Sequence, residues 1–349
     1  MPGWTVVIWA TVTPDLVEAF EADLREATLA LEAIAPEELH VHVIQTTPGT
    51  SGPTLRKWPG SVKIPNDVDS VSTLGEALAG ASCWGTKDSP TARNRLLVLW
   101  GHGELFFPSV ASPPAVPAAD ELVAQLTPED SVMGSVAQQP ATPDIIGYDA
   151  CRMATVSNVQ TLANTLPEAV FIGSMVPEPA SGWPYVQLLR ALREPAGPKA
   201  VAAAIVEAYA ASVDAPDWCL VAVSLAGVAA LGDKLVTLGS STAPEPVEFY
   251  AAAAGADILD DTNLLDLGAL MRRLSRITPH PEADAVLRAL REATIARRAA
   301  GSLAGRDGLA ARAGRPPSRG PVESWPPEPR WSAYLPELFP AQEATASLK

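Results

Sequence analysis

Two short apolar runs, about fifty residues apart, each end abruptly at a reactive side chain. The first, LLVLWGHG, ends at His102 and Gly103, and the second, DIIGYDAC, ends at Asp149 and Cys151. Parallel strands deliver the residues that follow them to one crevice at the carboxyl edge of a sheet. This arrangement restricts the chain to folds in which neighbouring parallel strands present a histidine and a cysteine together.

Strand and helix patterns alternate along the first two-thirds of the chain. Apolar, β-branched runs predict strands over residues 5–10, 39–45, 96–100, 145–148, 169–174 and 219–224. Apolar residues at helical spacing predict helices over residues 16–34, 72–81, 154–166, 184–193 and 199–212. Such alternation predicts an α/β fold with a mostly parallel six-stranded sheet covered on both faces.

The pattern changes near residue 225. Beyond it, helical periodicity covers residues 228–238, 264–277 and 282–300 with no strand between them, and a Pro-rich tail follows. We therefore expect two parts, a core over residues 1–225 and a helical C-terminal subdomain over residues 226–349.

The charge balance limits the partners. Acidic residues outnumber basic ones by 40 to 25, which gives a formal charge of −15. This balance argues against nucleic acid and anionic membranes as partners and favours a cationic substrate. No stretch approaches the roughly 20 apolar residues of a spanning helix, and the first residues lack a secretory pattern. We expect a cytoplasmic protein.

The cysteines predict thiol chemistry rather than a metal site. The three cysteines are far apart and form no CxxC pair, so neither a disulfide framework nor a metal centre is predicted. A cysteine attacks as its thiolate, which a neighbouring imidazole favours, and Cys151 and His102 fit these parts. The backbone N–H groups of Gly103 and Cys151 are candidate oxyanion donors. Each residue alone could equally be structural.

The segments around these residues resemble the clostripain family of cysteine peptidases, relatives of the caspases, gingipains, legumain and separase. The matching segments are WTVVIWA, STLGEALA, RLLVLWGHG, IIGYDACRMATVSNVQTLA, FIGSMVPEPASGWPY and NLLDLGALMRRL. The resemblance implies a caspase-like three-layer sandwich with the His102 and Cys151 dyad on neighbouring strand tips. It also implies an endopeptidase of protein substrates that forms an acyl-thioester and needs no cofactor.

The resemblance further implies cleavage after Arg or Lys. Family members line the primary specificity pocket with the acidic residue two before the nucleophile, which here is Asp149. A carboxylate facing a guanidinium makes a charge-assisted hydrogen bond worth about 1.5–3 kcal/mol, enough to select Arg over neutral side chains. The alternative is that Asp149 caps the following helix.

Four further residues are candidates for substrate binding. Glu178 is a second acid for the pocket, and Trp183 is either its wall, stacked on an arginine, or a core anchor. Family members pair the substrate with the segment equivalent to residues 173–177, so Ser174 and Met175 are expected to contact the peptide.

The chain departs from the family in two places. The acidic, asparagine-containing stretch after the first strand is replaced by TVTPD, so the resemblance does not predict whether this chain depends on calcium. The glycine-rich continuation after His-Gly is replaced by ELFFPS, which leaves Glu104 either orienting His102 or in a solvated loop; we favour the loop.

The basic residues indicate where proteolytic processing is possible. No Lys or Arg lies between Gly103 and Cys151, so an enzyme specific for basic residues cannot cut itself between its catalytic residues. The Arg-rich stretch 297–319 is the first expected cleavage site, and the region of Arg56, Lys57, Arg93 and Arg95 is the second. A zymogen cut by another protease is the resulting hypothesis, in a prokaryotic defence or cell-death cascade by analogy with clan members.

Two other functions were weighed. An inactive pseudoprotease that binds peptides through the same groove is the main alternative, although the intact set of His102, Asp149 and Cys151 argues against it. A serine hydrolase is excluded because no G-x-S-x-G elbow follows a predicted strand.

Overall fold

The fold is built from twelve strands and eight α-helices in the part of the chain that the structure, a computed structural model, describes. That part comprises residues 3–34, 39–46, 54–56, 74, 78, 84–86, 89–90, 93–103, 116–126, 141–193, 196–240, 252, 259, 264–277 and 279–312. The strands are β1 (Trp4–Thr11), β2 (Leu39–Thr46), β3 (Thr54–Arg56), β4 (Gly85–Thr86), β5 (Ser89–Pro90), β6 (Asn94–Gly101), β7 (Ile145–Asp149), β8 (Val170–Gly173), β9 (Trp218–Ser224), β10 (Leu264–Asp266), β11 (Thr294–Ala300) and β12 (Ala310–Arg312). The helices are α1 (Val17–Leu31), α2 (Ala119–Leu126), α3 (Val156–Thr165), α4 (Tyr185–Ala191), α5 (Pro198–Ser212), α6 (Leu225–Ser240), α7 (Leu267–Ile277) and α8 (Pro281–Ala293).

A central eight-stranded sheet organises the molecule, in the order β11-β9-β8-β7-β6-β1-β2-β3. The five strands from β2 to β8 in this order run parallel, while β3, β9 and β11 are antiparallel to their neighbours. All six predicted strands are present, and β3 and β11 extend the sheet at its two edges. The mostly parallel sheet is confirmed.

The sheet separates two apolar clusters, as a three-layer sandwich requires. Alternate residues of β1 show this: Val7 and Trp9 belong to one cluster, whereas Val6 and Ile8 belong to the other. The first cluster packs under α2, α3, α6, α7 and α8, and the second packs under α1, α4 and α5. Because both faces are covered, the strands are apolar throughout instead of alternating with polar residues.

The registers at the carboxyl edge place the two motifs at the same level. Trp100 near the end of β6 pairs with Asp149 at the end of β7. His102 and Cys151 each follow two residues later, so both leave the sheet at one edge. On the other side of β6, Gly101 pairs with Thr11 of β1, which brings the residues after β1 to the same edge.

The C-terminal part of the chain is not wholly helical, which corrects the sequence prediction. The helix predicted over residues 282–300 ends at Ala293, and the next seven residues, TIARRAA, form β11. This strand pairs antiparallel with β9, with an irregularity between Thr294 and Ala296. Residues beyond 226 therefore complete the central sheet and its helical layer, since α8 also packs against α6 and α7.

The Arg-rich stretch also differs from its prediction as a loop. Arg297 and Arg298 lie in β11, and the Arg298 guanidinium pairs with Glu207 of α5, with Nη2 to Oε1 at 2.7 Å. Residues 301–312 form a short 3₁₀ turn and β12. Residues 313–319 lie outside the described residues, as do Glu104, Lys57 and the Pro-rich tail. Arg95 is buried in β6 and its Nε donates to the carbonyl of Trp84 at 3.1 Å.

Limited trypsin digestion tests this correction. We expect no early cleavage after Arg95, Arg297 or Arg298 in the native protein, because a protease needs a locally unfolded segment and these residues are held in strands. Mass spectrometry of the first fragments gives the sites. A first cut after Arg297 or Arg298 would contradict the assignment of β11.

Candidate active site

Cys151 lies in the turn that follows β7. Its side chain is partly exposed, and its Sγ accepts a hydrogen bond from the backbone N–H of Glu178 at 3.2 Å. The other cysteine that the structure describes, Cys219, is fully buried in β9, and burial raises the pKa of its thiol to about 12. Cys83 lies outside the described residues. Of the two described thiols, Cys151 is therefore the one that can react with a substrate.

The turn around the cysteine is held on a strained backbone. Arg152 has a φ of 62°, the left-handed conformation that side chains other than glycine rarely adopt. Its N–H donates to the carbonyl of Val176 at 3.1 Å, and the N–H of Ala154 donates to the carbonyl of Ser174 at 2.8 Å. These two bonds tie the turn to the segment after β8. Strain of this kind occurs at functional sites, where the surrounding structure fixes it.

Gly103 brings the turn after β6 into contact with the turn that carries the cysteine. A Cβ at this position would collide with the carbonyl group and the backbone nitrogen of Cys151. Only glycine allows so close an approach of the two backbones. The contact explains the glycine in the His-Gly motif and places His102 in the turn adjacent to the thiol.

His102 interacts with an acid that the sequence analysis did not select. Its Nε2 lies 2.9 Å from Oδ2 of Asp15, whose side chain is 64% exposed. Asp15 lies in the 3₁₀ turn of residues 14–16 that follows β1, where proline occupies the first turn. The segment TVTPD was noted only as a departure from the family. The adjacency of β1 to β6 is the structural reason why Asp15 reaches the histidine.

Among the described residues, the Cys151 thiol and the His102 imidazole do not bond to each other, and each has a different hydrogen-bond partner. The hydrogen bond of Cys151 comes from Glu178, and that of His102 is with Asp15. The structure thus brings the two predicted catalytic residues into neighbouring turns without a direct bond between them. Catalytic hydrogen bonds are often long in the absence of substrate and tighten when it binds.

Asp149 lies beneath the cysteine turn, on the sheet face covered by α1, α4 and α5. It is 5% exposed. Its Oδ2 accepts a hydrogen bond from the hydroxyl of Tyr185 at 3.0 Å and from the backbone N–H of Trp183 at 3.4 Å. The cap of α3 is Thr155, whose side chain accepts from the N–H of Asn158. The alternative role of Asp149 as the helix cap is therefore wrong.

A second buried acid, Asp23, comes close to Asp149 from α1. Its Oδ2 accepts a hydrogen bond from the indole Nε1 of Trp100 at 2.7 Å. A Cβ on Gly182 would lie 3.1 Å from Oδ2 of Asp23 and 3.5 Å from both carboxylate oxygens of Asp149. Sequence analysis missed Asp23. The signal that could have revealed it is an acid inside the apolar stripe of α1 that contains Phe20 and Leu24.

Glu178 is the third acid, and its carboxylate is unpaired. Both of its oxygens are buried without a hydrogen-bond partner, as are the indole Nε1 of Trp183 and the hydroxyl of Tyr209 in α5. Trp183 is fully buried and packs over Gly147 of β7, which has no Cβ to obstruct the ring. We call Asp23, Asp149 and Glu178 the acidic cluster.

Burial makes the acidic cluster electrostatically unfavourable in the empty protein. Loss of solvation raises the pKa of Asp149 to about 6, and loss of solvation together with repulsion from Asp149 raises the pKa of Asp23 to about 8. The same two causes raise the pKa of Glu178 well above its ordinary value. Within the described chain, none of the three carboxylates pairs with a Lys, Arg or His side chain. Such perturbed groups in one place are typical of a binding site for an opposite charge.

Two of the predicted substrate contacts are placed differently. The side chains of Ser174 and Met175 face the interior, and the Ser174 hydroxyl donates to the carbonyl of Val176 at 2.9 Å. A peptide at the segment 173–177 is therefore expected to meet backbone rather than these side chains. Glu178 and Trp183, in contrast, lie beside Asp149, and their contact with a substrate stays a prediction.

No helix of the described residues is long and apolar enough to cross a bilayer. Those residues also contain no group of three His, Cys, Asp or Glu side chains arranged to hold a metal ion.

Comparison with known proteins agrees with this geometry. Residues 86–232, which include His102, Cys151 and two acids of the cluster, match the model of the clostripain family. No curated protein sequence matches the chain.

Solved structures of similar fold cover almost the whole chain. An inactive zymogen C11 protease from Parabacteroides distasonis matches 97% of this chain and 94% of its own, with a TM-score of 0.64 and 16% identity. A secreted C11 cysteine protease from Bacteroides thetaiotaomicron, in complex with an irreversible peptide inhibitor, matches 91% of this chain and 94% of its own, with a TM-score of 0.61 and 17% identity.

These likenesses confirm the caspase-like sandwich. Combined with the match of residues 86–232, which carry both motifs, to the clostripain family, they lead to one conclusion: the chain is a cysteine-type peptidase whose segment 86–232 is that of the clostripain family.

Proposed function

We propose that this chain is an endopeptidase that cleaves protein substrates after Arg, or Lys, with Cys151 as nucleophile and His102 as acid and base. The observation that carries this proposal is the acidic cluster beside the cysteine turn, in which buried carboxylates lack any cationic partner among the described residues. A guanidinium or ammonium group of a substrate supplies the missing charge.

The reaction we propose proceeds through an acyl-thioester. The Cys151 thiolate attacks the carbonyl carbon, the scissile C–N bond breaks, and protonated His102 gives its proton to the leaving amine. Water then attacks the thioester carbonyl and gives a proton to His102, and breakage of the C–S bond releases the thiolate and a carboxylic acid, which loses its proton to solvent. No metal takes part in these steps.

Two other features of the site support this chemistry. Asp15 accepts the Nε2 proton of His102, which orients the ring and leaves Nδ1 as the basic nitrogen. No described residue accepts a hydrogen bond from the backbone N–H of Gly103 or Cys151, so both are available to an oxyanion. Their backbones touch, which places the two donors near one point.

Selection of a basic side chain follows from the buried charge. A charged hydrogen bond from a guanidinium to Asp149 contributes about 1.5–3 kcal/mol, or roughly 10- to 150-fold in specificity. This selectivity lowers the stability of the empty protein, because an uncompensated buried carboxylate destabilises the fold.

We further propose that the chain is a zymogen activated by another protease. The segment 177–182 covers the acidic cluster, and the carboxylate oxygens of Glu178 are closed to solvent, so a substrate side chain enters only after this segment moves. The inactive zymogen of similar fold is consistent with such control. Cleavage between Gly103 and Cys151 by the enzyme itself is excluded because that stretch has no Lys or Arg. The cytoplasmic defence setting rests on analogy with clan members.

The first prediction concerns the nucleophile. After nicking by immobilised trypsin and addition of a trypsin inhibitor, the wild-type chain should hydrolyse fluorogenic peptides ending in Arg, and Cys151→Ala should lose this turnover. Cys219→Ala is the matched control and should retain it, because Cys219 is buried in β9. Equal turnover by wild type and Cys151→Ala would contradict the proposal, and wild-type silence with an intact fold would favour the pseudoprotease.

The second prediction concerns Asp149. Asp149→Asn should lower kcat/KM for Arg peptides about 10- to 100-fold, because the ionic hydrogen bond is lost. Its melting temperature at pH 7 should equal or exceed that of wild type, because the amide removes a buried charge and still accepts from Tyr185 and Trp183.

The sign of the stability effect follows from the raised pKa of Asp149, about 6 in the folded state. Folding favours the protonated form of Asp149. The destabilisation by its negative charge therefore develops as the pH rises from about 4 to about 6, and it is complete above about pH 6. The gap in melting temperature between Asp149→Asn and wild type should therefore be small at pH 4 and larger at pH 7. Asp120→Asn, an exposed acid of α2, is the control for loss of charge and should show neither effect. Unchanged Arg cleavage by Asp149→Asn would mean that another residue holds the arginine.

The third prediction concerns Asp15. Asp15→Asn should lower kcat at least about tenfold with little change in KM, because an amide orients the imidazole without stabilising its positive charge. The pH profile of kcat should also differ from that of the wild type, whereas a purely structural role of Asp15 leaves the profile unchanged. Glu18→Gln, an exposed acid one turn further along, is the control. Wild-type kcat and pH profile in Asp15→Asn would remove Asp15 from the mechanism.

A further inference from the structure

Asp23 is a buried acid that neither the dyad nor the position two before the cysteine explains. It is 7% exposed and lies on α1, whose other interior residues, including Phe20 and Leu24, are apolar. Its carboxylate is anchored by Trp100 and faces Asp149 across Gly182. An acid in an apolar helix stripe destabilises the fold unless a ligand or partner compensates it.

The three acids form a row that leads away from the cysteine. Glu178 is next to Cys151, since its backbone N–H bonds the thiol and its carboxylate is repelled by both Cys151 and Asp149. Asp23 faces Asp149 across Gly182 and accepts the hydrogen bond of Trp100. Asp23 therefore joins the row through Asp149.

Unpaired donors beside the row indicate that it is built for a ligand. The indole Nε1 of Trp183 is fully buried beside the Glu178 carboxylate but does not meet it with hydrogen-bond geometry. The hydroxyl of Tyr209 is likewise buried and unpaired, close enough to Glu178 and Asp149 for their charges to affect it. Buried polar groups without partners are rare in proteins, and several around one cluster of acids indicate an interaction completed by a bound molecule.

We propose that Asp23 is a third acid of the specificity site and that it selects arginine over lysine in the side chain that precedes the scissile bond. This inference rests on the proposed function, because it assigns Asp23 to the site in which Asp149 binds the basic side chain. It adds a residue from α1, far in sequence from both motifs.

The geometry of the two cations explains the selection. A guanidinium is planar, ends a longer side chain and carries five N–H donors, so it can bond Asp149 and still reach Asp23. An ammonium is a compact charge at the end of a shorter side chain. Glu178 and Asp149 satisfy its hydrogen bonds without Asp23. Burial and repulsion from Asp149 raise the pKa of Asp23, so the empty site holds a neutral carboxyl there, and an arriving guanidinium favours its ionised form.

The test compares Arg and Lys substrates in Asp23→Asn. This change keeps the size of the side chain and an acceptor for Trp100. We expect kcat/KM for an Arg peptide to fall about tenfold or more while that for the matched Lys peptide changes less than about threefold. Asp23→Ser is a second variant in case the amide does not fold. Glu18→Gln, an exposed acid on the same helix, is the control and should leave the ratio of Arg to Lys cleavage unchanged.

A binding measurement separates this inference from the catalytic proposal. In trypsin-nicked Cys151→Ala, freed of trypsin, agmatine, which carries a guanidinium, should raise the melting temperature more than cadaverine, which carries ammonium groups. Adding Asp23→Asn should remove the advantage of agmatine and leave the effect of cadaverine.

The outcomes are distinguishable. An unchanged Arg to Lys ratio, or an unchanged advantage of agmatine, in a folded Asp23 variant overturns the role of Asp23 and leaves the proposed peptidase intact. Failure of the wild type to cleave Arg and Lys peptides, with no stabilisation by either amine, overturns both.

Discussion

The parallel pairing of β6 with β7 is the constraint on which the rest of the site depends. It sets Trp100 opposite Asp149, so that the chain leaves both strands at one level and the backbones of the two following turns touch at Gly103. A shift of one residue in this register would turn Asp149 to the other sheet face, away from α1, and would separate the histidine from the cysteine. The reactive residues are thus positioned by the hydrogen-bond ladder of the sheet, whose apolar side chains are buried on both faces.

The same register also creates an electrostatic conflict among buried carboxylates. Because Asp149 faces α1, it meets Asp23 in a region from which solvent is excluded, and Glu178 adds a third negative group. Replacing these acids with apolar residues would stabilise an isolated fold. Stability and binding are therefore opposed here, as is common where a site is prepared for a ligand of opposite charge. The hydrogen bonds from Tyr185 and Trp100 reduce this conflict without supplying a positive charge.

Most of the sheet, and the adjacency of the turns that carry His102 and Cys151, could be predicted from the sequence, because continuous apolar runs that end at polar residues have few other interpretations. The strand β11 could not. TIARRAA continues the helical spacing of α8, and only its pairing with β9, a long-range contact, makes it a strand. Asp15 and Asp23 were missed for a related reason. Each contacts a residue that is distant in the sequence and belongs to a different secondary-structure element. Sequence spacing does not show that β1 lies beside β6 or that α1 covers the end of β7.

One segment joins the cysteine turn to the acidic cluster. The chain after β8 holds the cysteine turn through Val176, donates to the thiol from Glu178, contributes Glu178 to the acidic cluster, and turns at Gly182, with a φ of 59°, to place Trp183 against Asp149. Any movement of this segment away from the cluster therefore also alters the hydrogen bond to the thiol. Because the segment cannot move without changing the environment of Cys151, the state of the thiol and the state of the acidic cluster depend on the same few residues.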